Sequence, residues 1–171
     1  YTAERIILAT GGWPMIPDIP GKEHFITTNE VFYLDQFPEK VMVVGSGYIA
    51  VEFAGILNGL GAKTVIASRS GKLLRGFDEE TRQFAESEIL KKGPEFVPEQ
   101  PKSITKLENG KLVVSFENHT AIEVDTILCA TGRQPNTSNL GLEVCGVEIS
   151  EKGTIPVNDQ YQTNVPSIFA M

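Results

Sequence analysis

The chain predicts an α/β fold built on a parallel sheet, and three features of its 171 residues carry that prediction. Val41–Val44 is a short apolar, largely β-branched run, the pattern of a strand buried on both faces. Gly45, Gly47 and Ala50 follow in the G-x-G-x-x-G/A spacing, ahead of a helix expected from about Tyr48. A second strand, Lys63 to Ala67, completes the strand, turn, helix and strand of a Rossmann-like dinucleotide-binding unit. In such a unit the first glycine permits a tight turn and the second lets backbone approach a pyrophosphate. The small third residue lets the helix pack closely on the strand. The free N–H groups and positive dipole end of the helix then face the phosphates.

The remaining elements follow in chain order. Arg5 to Ala9 reads as an apolar strand running into Thr10-Gly11-Gly12-Trp13-Pro14, where backbone can approach a neighbour closely. Pro14, Pro17 and Pro20 keep the next stretch extended as a linker, and Trp13 is expected to pin that linker to a core. Thr27 and Glu30 have capping-box spacing and predict a short helix over Val31 to Asp35. On the helix after the glycines, Val51, Ala54 and Gly55 suit close approach to a sheet, while Glu52 shares a face with Tyr48. Asp78 predicts the cap of a helix running to about Lys92, with acids in its first turn and lysines in its last. Glu95 to Val97 reads as the third parallel strand. Ser103 to Leu107, Lys111 to Phe116 and Ala121 to Val124 alternate with polar turns as an inserted antiparallel β-meander. His119 lies in one of those turns, where a solvated side chain is expected.

Thr126 to Ala130 returns as an apolar strand, and the phrase Ala-Thr-Gly-x-x-Pro then occurs for the second time, at 130–135 as at 9–14. Two copies bracketing the glycine-turn unit predict entry to and exit from an inserted domain. The boundaries expected are a stub at 1–13, a linker with a short helix at 14–40, the dinucleotide domain at 41–132 and a return segment at 133–171. Thr154 to Val157 and Ser167 to Ala170 would be strands of the parent domain. A start at Tyr1 and a stop at Met171 fit an excised fragment.

Composition narrows the function. A net charge of −7 and a pI near 4.9 argue against non-specific nucleic-acid binding. No apolar run approaches the ~20 residues of a membrane span, and no signal-peptide layout is present, so a soluble, cytoplasmic protein is expected. Cys129 and Cys145 form no Cys-x-x-Cys and join no His-rich cluster, which argues against a metal site and predicts two packed small hydrophobes. The second strand bears on the coenzyme. Enzymes preferring NADH carry Asp or Glu at its end to hold the ribose 2′-hydroxyl, whereas this chain has Ser68, followed by Arg69 and Arg75. A hydroxyl and two guanidinium forks suit a 2′-phosphate, so the expected coenzyme is NADPH.

Val-Val-Gly-Ser-Gly-Tyr-Ile-Ala-Val-Glu-Phe-Ala-Gly at 43–55, Asn-Gly-Leu-Gly-Ala-Lys-Thr at 58–64 and Leu-Leu-Arg-Gly-Phe-Asp at 73–78 resemble the flavin-dependent pyridine nucleotide disulfide oxidoreductases, the glutathione reductases in particular. Ala-Thr-Gly-Arg-Gln-Pro-Asn at 130–136 and Gln-Thr-Asn-Val-Pro-Ser-Ile at 162–168 extend the resemblance over nearly the whole chain. It implies a homodimeric parent in which NADPH gives hydride to FAD and FAD reduces an enzyme disulfide that reduces glutathione disulfide; trypanothione disulfide is the alternative substrate. By position, Gly45, Ser46, Gly47, Ile49 and Glu52 would lie along the pyrophosphate and nicotinamide. Arg69 and Arg75 would hold the 2′-phosphate beside Ser68, and Gly132 and Arg133 would line the far side. Tyr48 resembles the aromatic lid over the flavin, Glu52 the carboxylate that meets a lysine of the flavin domain, and Thr10 and Gly11 would face the flavin. The family's flavin fingerprint, its Cys-x-x-x-x-Cys pair and its His-Pro dyad are absent from this chain. No catalytic residue is therefore expected here beyond Tyr48 as a gate, and the chain alone is expected to be inactive. A free-standing NADPH-binding module is the alternative from another class.

Overall fold

The computed structural model describes every residue from Tyr1 to Met171, and these divide into two compact units. One is Pro14–Gly132; the other joins Tyr1–Trp13 to Arg133–Met171. Strands β1 (Ile6–Leu8), β2 (Gly12–Pro14) and β3 (Phe25–Ile26) lead to β4 (Lys40–Val44). Helices and strands then alternate through α1 (Tyr48–Gly59), β5 (Lys63–Ala67), α2 (Glu79–Lys91) and β6 (Glu95–Val97). After these come β7 (Ser103–Lys106), β8 (Leu112–Ser115), β9 (Ile122–Val124), β10 (Thr126–Cys129), β11 (Arg133–Pro135) and β12 (Ile168–Ala170).

In the larger unit five parallel strands take the order β3-β10-β4-β5-β6. From β4 the chain winds outward through β5 and β6, then returns to the other side of β4 as β10. The winding therefore reverses between β4 and β10, and the crevice beyond their carboxyl ends is where a parallel α/β sheet takes ligands. Strand β4 is covered on both faces. Val41 and Val43 pack with Ala50, Ala54 and Leu57 of α1 and Ile89 of α2. Met42 and Val44 pack with Ile104, Leu112, Val114 and Val124 of the meander β7-β8-β9, whose pairings are antiparallel. An uninterrupted apolar strand is the consequence of having no solvent face. The proline-rich stretch belongs to this unit as well: the Ile104 N–H donates to the Pro20 carbonyl at 2.9 Å.

Helix α2 starts where its sequence says it should. The Asp78 carboxylate accepts the Thr81 N–H at 3.0 Å, Glu79 and Glu80 fill the first turn, and Lys91 lies in the last. The buried guanidinium of Arg82 sits between Glu79, at 2.5 Å, and Glu86, at 3.4 Å. Hydrogen bonds from Arg82 first, and Gln83 second, bring the Glu79 carboxyl from 4.5 down to about 2.

Several expectations are corrected. Of the capping box only the Glu30 half forms, its carboxylate accepting the Thr27 N–H at 2.7 Å and the Thr27 hydroxyl at 2.6 Å, while the Thr27 hydroxyl oxygen accepts the Asn29 N–H at 3.2 Å. The turn that follows is a 3-10 helix over only Val31–Tyr33, because Leu34 turns extended on the approach to Pro38. Its Phe32 packs edge-on to Phe53 of α1 with ring centroids 5.9 Å apart. Thr154 to Val157 forms no strand. Thr154 is tied back to Ser150, donating its N–H to the Ser150 hydroxyl at 3.1 Å and accepting the Ser150 N–H at 2.8 Å, and Pro156 has no N–H for a ladder. The last strand does form, and β12 pairs in parallel with β1. Trp13 pins nothing, being 58% exposed, while its neighbour Pro14 is buried. Cys129 is buried as expected, but Cys145 is exposed because Leu142 and Val147 occupy the small core of its unit.

Ile66, fully buried at the centre of the sheet, gives the stability test. Ile66→Ala should cost ~2–5 kcal/mol in urea unfolding. Phe84→Ser, at a side chain 69% exposed, should cost less than ~0.5 kcal/mol. A second test concerns acid. The Glu79 contribution is complete above pH 4.5 and is lost as pH falls through about 2, since the folded carboxyl holds its charge to lower pH. Glu79→Gln should therefore flatten the loss of stability over that interval, read from urea midpoints across the pH series.

Candidate dinucleotide site

Two glycines of the turn after β4 have separate reasons to be glycine. Gly45 sits at φ +143°, and a Cβ there would fall 2.2 Å from the carbonyl oxygen of Ala130, at the end of β10. Its N–H donates to the Ala67 carbonyl at 2.9 Å, and the Ala130 N–H donates to Val44 at 2.7 Å, so the ends of β4, β5 and β10 close on this residue. Gly47 is crowded by nothing: a Cβ there meets no atom within 4 Å. It is the N-cap of α1, a helix with no side-chain cap and no acid in its first turn, in contrast to α2. Open space above the second glycine and uncapped N–H groups beside it make a cradle that fits a pyrophosphate, and a side chain at Gly47 would fill it.

At the end of β5 the chain forms a pinned loop. Ser68 is buried, and the Ser70 hydroxyl oxygen lies 2.9 Å from its Oγ and 3.1 Å from the Oγ of Ser46. Ser70 also donates to the Lys72 carbonyl at 2.7 Å. The Leu74 N–H donates to the Ser46 carbonyl at 2.6 Å, and the Leu73 N–H to Glu86 at 3.1 Å. The Leu73 side chain is itself fully buried. From this anchored stretch Arg69 and Arg75 stand in solvent, and neither forms an ion pair with a carboxylate of the chain. Two free guanidinium groups beside a buried serine, with no acid at the strand end, suit an added phosphate better than a bare ribose.

The larger unit thus holds Gly45, Ser46, Gly47, Tyr48, Ile49, Glu52, Ser68, Arg69, Arg75 and Gly132. Tyr48 opens α1 and is 56% exposed, Ile49 is half-buried, and Glu52 is exposed without a cationic partner. The Gly132 carbonyl accepts the Met15 N–H at 3.0 Å. Thr10, Gly11 and Arg133 belong to the other unit. There the Arg133 guanidinium donates to the Gly12 carbonyl, and the Gly11 carbonyl accepts the Asn136 N–H at 3.0 Å. Sequence reasoning passed over Ser70, Leu73 and Leu74. The available signal was the Leu73-Leu74 pair, two apolar residues between Lys72 and Arg75 in a loop that otherwise reads as solvated.

The sequence profile of the pyridine nucleotide-disulphide oxidoreductases matches residues 1–171. The chain belongs to that family. Among curated relatives, the chloroplastic/mitochondrial glutathione reductase of Pisum sativum is 45% identical over 172 residues, covering 100% of this chain and 31% of that protein. The trypanothione reductase of Trypanosoma congolense is 42% identical over 173 residues, covering 99% of this chain and 35% of that protein. Among solved structures, the HOCl-induced flavoprotein disulfide reductase of Escherichia coli superposes with a TM-score of 0.90 at 27% identity, over 98% of this chain and 39% of that one. The chain spans about a third of the length of these two curated relatives.

For this member of the oxidoreductase family the two glycines separate fold from binding. Gly45→Ala should destabilise by ~3 kcal/mol or more, since strain and a backbone clash coincide. Gly47→Ala should shift the thermal midpoint little yet weaken pyrophosphate binding in the cradle at least ~tenfold, because the new methyl group occupies it. Calorimetric unfolding and titration of the two variants distinguish these outcomes.

Proposed function

We propose that the chain is the NADPH-binding, electron-input domain of a flavin-dependent glutathione-disulfide reductase. The observation that carries the coenzyme reading is the pair Arg69 and Arg75, unpaired and exposed on a loop fixed at the end of β5, where Ser68 replaces the acid of an NADH site. The glycine turn and the start of α1 would hold the pyrophosphate, the two arginines the 2′-phosphate. Gly132 and Arg133 would line the far side of the dinucleotide, and Thr10 and Gly11 would face FAD in the parent. When bound, NADPH supplies a hydride. The chain's own residues bind and orient: Tyr48 acts as a gate beside the nicotinamide, with Ile49 next to it. Glu52, a solvent-facing carboxylate one helical turn further along, awaits a lysine from the flavin domain. Glutathione disulfide as the parent's substrate is supported by relatives named glutathione reductase at 38–45% identity. The trypanothione reductase at 42% is the second reading, and disulfide-reduction assays on the parent with each substrate decide between them. A homodimeric, cytoplasmic parent completes the proposal.

The test is kcat/KM for both coenzymes in the full-length enzyme. Arg69→Met with Arg75→Leu should cost ~2–4 kcal/mol, or about 30- to 1,000-fold, in NADPH preference, with NADH use falling little or rising. Equal losses for both coenzymes would mean that the arginines support the fold or the shared pyrophosphate. Tyr48→Phe should leave turnover nearly unchanged, since a ring still fills the site; a fall of ~100-fold or more would assign chemistry to the hydroxyl.

A further inference from the structure

We propose that Ser46 and Ser70 form a brace that determines coenzyme selectivity, tying the glycine turn to the arginine-bearing loop so that Arg69 and Arg75 are held in place before ligand arrives. This rests on the reading of those arginines as ligands of a 2′-phosphate. Ser46 is the middle residue of the Gly-Ser-Gly turn, yet it engages the loop 24 positions away through two groups: its hydroxyl lies 3.1 Å from Ser70 Oγ, and its carbonyl accepts the Leu74 N–H at 2.6 Å. Each arginine is one residue from one of those ties, Arg69 beside Ser70 and Arg75 beside Leu74. The single Ser70 proton is shared between the Lys72 carbonyl at 2.7 Å and the Ser46 Oγ at 3.1 Å, and a lone pair remains for the Ser68 hydroxyl at 2.9 Å.

Leu74 shows that the loop is held in a set conformation. It sits at φ +54°, in the left-handed region that a leucine rarely occupies, and keeps that backbone between the Ser46 bond on one side and the buried Leu73 on the other. Ordering two long cationic side chains on a free loop would consume much of what their phosphate contacts gain. A loop ordered in advance removes that cost, and removes it only for ligands that reach the arginines. The brace therefore separates 2′-phosphorylated from 2′-hydroxyl adenosine ligands by its hold on the loop.

Titration calorimetry on the 171-residue chain with 2′,5′-ADP and 5′-AMP tests this, because the two probes share the 5′-phosphate and differ only at the 2′ position. The variants are Ser46→Ala, Ser70→Ala, the double substitution and Ser70→Thr. Each single alanine variant should lower the 2′,5′-ADP to 5′-AMP affinity ratio by ~three- to tenfold, and the double should lower it no further than the larger single effect. Ser70→Thr, which keeps the hydroxyl, should restore most of the ratio, a rescue that loss of general loop packing would not produce. If Ser70→Ala fails to fold, Ser46→Ala and Ser70→Thr still decide. Unchanged ratios, equal weakening of both probes, or single effects that multiply in the double variant would each overturn the brace while leaving the wild-type preference intact. A wild-type chain without preference for 2′,5′-ADP would remove the reading of Arg69 and Arg75, and the brace with it.

Discussion

The carboxyl end of the parallel sheet depends on one contact between backbones, where Gly45 passes over the carbonyl of Ala130. The parallel sheet reverses its winding between β4 and β10, and a crevice opens there only if the two strand ends can lie side by side. A residue with a side chain at Gly45 would push them apart, since its Cβ would lie 2.2 Å from the Ala130 oxygen. With the glycine in place, β4 runs straight into α1 and presents that helix's uncapped start to the crevice. The same turn carries Ser46, from which the neighbouring loop is hung. Glycine turn, helix start and arginine loop therefore share a single steric origin.

Much of this was legible in the sequence because the signals are local. The spacing of Gly45, Gly47 and Ala50, the Asp78 cap and the apolar runs each constrain residues within a turn or a strand of themselves. The elements they imply lie within a residue or two of those observed, and β5 (Lys63–Ala67) coincides with its expected span. What stayed hidden depends on partners distant in sequence. Thr154 to Val157 has the composition of a strand, but nothing local reveals that Ser150 captures Thr154 in a turn. Trp13 reads as an anchor, and only the pleat of β2 decides that Pro14 is buried instead. The loop after Ser68 was legible in its charges and illegible in its geometry. Arg69 and Arg75 announce themselves by type, whereas Ser70 matters only because Ser46 stands across from it.

Charge is distributed in the same divided way. The chain carries −7 overall, which repels long polyanions, while Arg69, Lys72 and Arg75 cluster on one short loop, none of them in an ion pair with a carboxylate. At physiological salt, fields fade within ~8 Å, so a small phosphate close to that loop meets its local charge rather than the average of the surface.

The ends of the larger unit come together: the Met15 N–H donates to the Gly132 carbonyl at 3.0 Å, and the Thr131 hydroxyl donates to the Met15 carbonyl at 2.7 Å. Entry and exit thus occupy the width of a single peptide pair. A polypeptide that opened one surface turn could receive the whole module there, its own ends held no farther apart than before and little loop-closure entropy lost. Geometry of this kind makes a folded unit portable between hosts, and it allows host and guest to change their interiors independently so long as that narrow doorway is kept.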